Sequence, residues 1–153
     1  MRLQLVIGAL VLAVGVPAVA AAAPDSNVCA LLTRDEAAAA VGGSVAEGKP
    51  LAGQSAGSGI GVANCTYAGS GKELRVNLWT FSPSASQSLE VYRGLCKQKE
   101  QAAGIGDLAC WYNAKHNELQ VLKGSKLLVL ELSSGRGGDA LLAAAKQAVG
   151  RLK

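Results

Sequence analysis

The side chains with the most chemistry in this chain are four cysteines, Cys29, Cys65, Cys96 and Cys110, and a single histidine, His116. A thiolate beside an imidazole makes a nucleophile, and clustered thiolates hold metals, but both uses need close neighbours. No C-x-x-C pair occurs and one histidine cannot complete the N and S spacing of a zinc site, so no metal and no cofactor is expected. His116 stands in Lys115-His116-Asn117 between two strand-like runs, and no G-x-S-x-G or comparable signature supplies it with a nucleophile. A solvated turn is expected there rather than catalysis. Asp107, in Gly104-Ile105-Gly106-Asp107, imitates a phosphate loop, yet the spacing is not G-x-G-x-x-G and no helical pattern follows. A turn in which Asp107 accepts from nearby amides fits better.

Disulfide pairing is therefore the main expectation for the cysteines, provided that the chain reaches an oxidising compartment. The leader supports export. Arg2 gives a positive start, residues 3–16 an apolar run, and Ala18-Val19-Ala20 a small-residue cleavage pattern before Pro24. Residues 1–23 read as a signal peptide and residues 24–153 as one secreted or periplasmic domain. Gly8, Gly15 and Pro17 interrupt the apolar run, which argues against a stable membrane anchor. Ser26-Asn27-Val28 before Cys29 is not a lipidation box. Four cysteines allow three connectivities; Cys29 with Cys65 and Cys96 with Cys110 is preferred, the second pair because the Gly104 to Gly106 reversal folds Cys110 back toward Cys96.

Those residues must be positioned by strands and helices. Residues 108–114, 118–123 and 126–132 are three strand-like runs joined by short polar turns, which is an antiparallel meander. Residues 62–68 and 72–81 form an earlier hairpin about Gly69-Ser70-Gly71. Thr33-Arg34-Asp35-Glu36 fits a capping box that opens a short helix ending at Gly42 or Gly43. Residues 44–47 read as a brief edge strand and residues 48–61, rich in Gly, Ser and Ala, as a flexible loop that is a second candidate binding edge. Ser82-Pro83 opens an amphipathic helix running to Ala102, and Asp139 caps a closing helix. The fold class is α+β: an antiparallel sheet of five to six strands with helices packed on it, in the order α-β-β-β-α-β-β-β-α.

Alternation supplies the one functional surface. In residues 72–81, Leu74, Val76 and Leu78 share a face, and Trp79 and Phe81 share the other. If Cys110 faces the helix that carries Cys96, then Trp79, Phe81 and Trp111 are expected together on the opposite sheet face, as a ligand or partner platform if open and a second core if covered. The formal charge is +4 for the whole chain and one less without Arg2, and the cations are scattered. No nucleic-acid footprint follows from that distribution.

Cys29-Ala30-Leu31-Leu32-Thr33, Asn64-Cys65-Thr66-Tyr67 and Gly104-Ile105-Gly106-Asp107-Leu108-Ala109 resemble segments of a group of bacterial, mostly actinobacterial, exported domains of unknown function that includes the LpqN-like lipoproteins. The resemblance implies a PsbP/Mog1-like sandwich and a role at the cell envelope, usually without catalysis. The functional expectation is a non-catalytic module that binds an envelope protein or a small molecule; the alternatives are a small hydrolase or thiol enzyme using Cys65, Cys96, Cys110 or His116, and an accessory subunit. Intact mass of the protein recovered from the envelope checks the export reading. A start within residues 21–24 without added lipid is expected, and a diacylglyceryl mass on Cys29 or a retained leader would contradict it.

Overall fold

The computed structural model describes residues 27–153; the leader assigned to residues 1–23 lies outside the described residues. After a 3-10 turn at Val28–Leu31, the elements in chain order are α1 (Arg34–Val41), β1 (Lys49–Ser55), β2 (Ile60–Ala68), β3 (Glu73–Phe81), α2 (Ser86–Lys97), β4 (Glu100–Gln101), β5 (Leu108–Trp111), β6 (Glu118–Lys123), β7 (Lys126–Leu132) and α3 (Gly138–Arg151). The strands form one sheet in the order β1-β2-β3-β7-β6-β5-β4, with every neighbouring pair antiparallel. The α+β class with an antiparallel sheet is as expected, but the sheet has seven strands rather than five to six.

Both additional strands are edges. β1 occupies the stretch expected to be a flexible loop, and pairs with β2 from Lys49↔Thr66 to Ser55↔Gly61 with an irregularity between Leu51 and Gln54. An edge strand takes its backbone bonds from the neighbour already in place, so a weak side-chain pattern does not prevent it. Gly48, just before it, is where a Cβ would stand 2.8 Å from Cys65 Sγ and from the Tyr67 ring, a close approach that only glycine permits. Residues 44–47 contribute only an isolated bridge, Val45 with Gly69, rather than a strand. β4 lies where the helix was expected to continue to Ala102. α2 stops at Lys97 because its end is pinned by the Cys96–Cys110 bond and the chain turns back to pair Glu100 with Trp111. Similarly, α3 is capped at Gly137, and Asp139 sits in its first turn rather than at its cap.

Helices lie on both faces of the sheet. On one face Leu74, Val76, Leu78, Leu119, Val121, Leu128, Leu130 and Leu132 meet α1, α3 and the Val28–Leu31 turn in the larger core. On the other, Phe81, Leu122, Leu127 and Val129 meet Ala85, Leu89 and Cys96 from the α2 side. Two disulfides join helical segments to strands: Cys29–Cys65 links the first turn to β2, and Cys96–Cys110 links α2 to β5. With sequence separations of 36 and 14, such loops are worth ~4 and ~3 kcal/mol respectively by the chain-entropy argument.

Polar ends over the larger core are tied down in one place. Thr33 Oγ1 accepts from the Glu36 amide at 3.2 Å, and Glu36 Oε2 accepts from the Thr33 amide at 2.8 Å, completing the expected capping box. Arg151 at the end of α3 grips both oxygens of Glu36 at 2.6 and 2.7 Å and donates to the Leu31 carbonyl at 2.9 Å. The guanidinium holds the Glu36 carboxyl at about 2, below its ordinary 4.5, with the Thr33 bonds adding and burial opposing.

A carboxyl depressed on folding stabilises the fold above its unfolded pKa, and that contribution disappears as pH falls toward the folded value. The Glu36 contribution is thus complete above about pH 4.5 and lost on the way down to about 2. Urea unfolding of Glu36→Gln is expected to show a loss of ~1–2 kcal/mol at neutral pH, discounted for partial exposure, and a flatter stability profile in that acid window. An unchanged profile would mean that the pair is ornamental.

Candidate functional site

The three aromatic residues expected to share a platform do not share a face. Register decides the matter: Trp79 pairs with Leu127, Leu127 with Leu122, and Leu122 with Leu108, so Trp79 stands on the side of Leu108 and therefore of Cys110. Trp111 pairs with Leu119, Leu119 with Leu130 and Leu130 with Val76, which places it in the larger core on the other side. Alternation within one strand identifies two faces but does not say which face of a distant strand matches. That link needed β7 and β6 in register between them.

Each aromatic is also covered. Trp79 and Phe81 lie 5.8 Å, ring centre to ring centre, from Tyr92 of α2, and Phe81 is buried. Trp111 is 7% exposed and stacks on His116 at 4.7 Å with an interplanar angle of 16°. His116 is accordingly not a freely solvated turn residue. Its backbone takes φ +52°, its carbonyl accepts from the amides of Gly137 and Gly138 at 3.0 and 3.1 Å, and its Nε2 is 2.9 Å from Glu100 Oε2. The ring thus pins the loop before β6 to β4, and the backbone carbonyl ties it to the start of α3. All four cysteines are in disulfides, which leaves no thiol nucleophile among the described residues. Asp107 behaves as the turn reading expects: its carboxylate accepts from the Gly124 amide at 2.7 Å, and its own amide donates to the Leu122 carbonyl. Among the described residues no group of three or more His, Cys, Asp or Glu side chains is placed to hold a metal ion.

The surface that stands open is elsewhere on the α2 side. α2 crosses only the end of that face that carries Trp79, Phe81, Leu127 and Leu122, and the other end is a polar groove of about 590 Å³. Register builds its floor. One row across the strands reads Lys49, Thr66, Arg75, Glu131, Glu118; the next reads Leu51, Asn64, Asn77, Val129, Gln120. Beyond β7 a second depression of about 320 Å³ is lined by Tyr92, Leu95, Lys99, Tyr112, Glu118 and Gln120. Its apolar walls are unusually bare: Leu95 is 52% and Tyr112 51% exposed, matched at the β1 side by Leu51 at 56%.

Charge is distributed unevenly along the floor. Arg75 is engaged by Glu73 at 2.5 Å, and Lys99 lies over the Tyr112 ring at 5.0 Å from its centre. Burial pushes the Glu118 carboxyl upward; the hydrogen bond from Gln120 opposes this and the facing Glu131 adds to it. Lys49, Asn64, Thr66 and Asn77, in contrast, make no side-chain bond to any described residue. The signal that could have found them was available in the alternation. Asn64 and Asn77 hold strand positions for which asparagine is poorly suited, and they turn out to be directly paired.

Set against family models, curated proteins and solved structures, the chain finds no match. The covered state of the aromatics has a measurable consequence. Phe81→Ala and Trp111→Ala are each expected to cost ~3–5 kcal/mol in denaturant unfolding, and the half-buried Trp79→Ala ~2–3 kcal/mol. A loss below about 1 kcal/mol for either of the first two would put that residue at a surface site instead of a core.

Proposed function

We propose that this chain is a non-catalytic binding module of the bacterial cell envelope, acting on an envelope protein or a small molecule through the open half of its sheet, with no cofactor and no nucleic acid. The resemblance to LpqN-like exported domains of PsbP/Mog1-like fold belongs to the same reading. Two intramolecular disulfides are compatible with an extracytoplasmic protein, and no helix among the described residues is long and apolar enough to cross a membrane. The observation that carries the reading is the set of uncommitted side chains, Lys49, Asn64, Thr66 and Asn77, gathered on one groove floor beside the exposed Leu51. A strand position that served only stability would favour a β-branched residue. Placing asparagine there keeps hydrogen-bonding capacity available at the surface.

The test separates stability from binding. Asn64→Val and Asn77→Val are expected to leave the unfolding free energy unchanged or raise it by up to ~1 kcal/mol, since valine suits a strand better. In the 15N-labelled wild-type protein, titration with fractionated envelope extract is expected to shift resonances of Lys49, Asn64, Thr66, Asn77 and Gln120, and the double variant to lose that response. Shifts confined to the His116 loop, or none with any fraction, would sink the reading.

A further inference from the structure

The groove's own chemistry narrows what it takes, and the narrowing rests on the binding reading above. Asn64 and Asn77 each present an amide donor and an amide acceptor, side by side on paired strands, with the Thr66 hydroxyl one row away. The natural complement of a row of primary amides is another amide, which offers the same donor and acceptor in reverse. A sugar ring would satisfy the same hydrogen bonds but also calls for an apolar plate beneath its C–H face. The floor around Asn64 and Asn77 carries no aromatic plate; the exposed Tyr112 stands only at the far end of the face, beyond β7.

Charge adds direction. Lys49 on β1 makes no side-chain bond to a described residue, and the acidic residue nearest it on the lining, Glu47, is paired with Arg34 at 3.6 Å; Glu131 and Glu118 stand directly opposite each other on β7 and β6. Arg75 beside Glu131 and Lys99 near Glu118 offset part of that like-charge pairing, and a bound cation would relieve the rest. From β1 to β6 is four strand spacings in the observed order, or ~19 Å at ~4.8 Å each. An extended peptide rises ~3.3 Å per residue, so about six residues bridge that distance.

We infer that the open half of the sheet binds an extended peptide segment of about six residues, lying across the strands, with an acidic end over Lys49 and a basic end over Glu131 and Glu118. Its backbone amides meet Asn64 and Asn77. Its apolar side chains rest on Leu51 at one end and on Leu95 and Tyr112 at the other.

The experiment uses 15N-labelled protein and four probes: acetylated, amidated hexapeptide pools with lysine first and glutamate last, with lysine at both ends, or with glutamate at both ends, and maltohexaose as an uncharged polyol of similar length. The mixed-charge pool is expected to shift the side-chain amides of Asn64 and Asn77 most strongly. Lys49→Glu is expected to weaken that pool by about tenfold and to strengthen the pool with lysine at both ends. Asn64→Val with Asn77→Val is expected to abolish the shifts that the mixed-charge pool causes at the backbone amides of Lys49, Thr66 and Gln120, in a protein whose melting temperature is retained. Maltohexaose shifting those amides while the peptides do not would overturn the peptide assignment and leave the groove as the binding site. Equal response to all three peptide pools would overturn the charge orientation and with it the proposal. Silence at those amides with every probe would overturn it too, and only silence with envelope fractions as well would remove the groove reading.

Discussion

The structure depends on one strand that must be dry on both faces. β7 runs Leu127-Leu128-Val129-Leu130 without a polar interruption, and each of these side chains is buried. A strand of that kind in an antiparallel sheet needs a helix layer on each side, because burial of one leucine or valine is worth ~1.5–3 kcal/mol and an uncovered face would forfeit half of the run. Glu131 ends the requirement on the α2 side, where the next residue inward is polar. α2 is therefore needed at one end of the face only, and the other end is free to carry polar groups.

That division explains where the cross-links fall. The larger core is closed by three separate segments, α1, α3 and the first turn, whose ends are fastened to one another and to the sheet. Arg151 joins the last turn of α3 to both the Leu31 carbonyl and the Glu36 capping carboxylate, and Lys123 Nζ donates to the Val149 and Leu152 carbonyls at the same helix end. Tyr67 reaches through the core to stand 2.7 Å from the carbonyl oxygens of Cys29 and Leu32, beside the Cys29–Cys65 bond. On the other side, α2 alone makes the layer. The Cys96–Cys110 bond holds its C-terminal end to β5, so its exposed flank, with Leu95, borders the second depression.

Much of the architecture was legible in residue order because it rests on local rules. The Thr33 and Glu36 box, the hairpin about Gly69 to Gly71 and the apolar run of β7 each act within a few residues, and both preferred disulfides formed. β1 was not legible, since an edge strand borrows order from β2 and needs no pattern of its own. Nor was the end of α2, which the disulfide and the pairing of Glu100 with Trp111 determine over a distance. The face carrying Trp111 failed for the same reason at longer range. Alternation holds within β5 and within β3, but their phase relative to each other passes through Leu119, Leu130 and Val76, whose pairings exist only once the sheet is assembled.

Reactive groups do not mark the groove. A reactive site announces itself by unusual residues, and here those residues are spoken for: cysteines in bonds, the histidine stacked on Trp111, Asp107 on the Gly124 amide. A recognition surface announces itself by ordinary residues in positions that stability would fill differently. Asn64 and Asn77 face each other in the middle of the longest strand pairing of the sheet, where valine or threonine would pack better, and they bond to no described neighbour. Water satisfies such groups at little cost while the face is open, and leaving it open is possible only because β7 turns polar at Glu131. The boundary between the covered and uncovered halves of the α2 face is therefore set by where the apolar run of one strand stops.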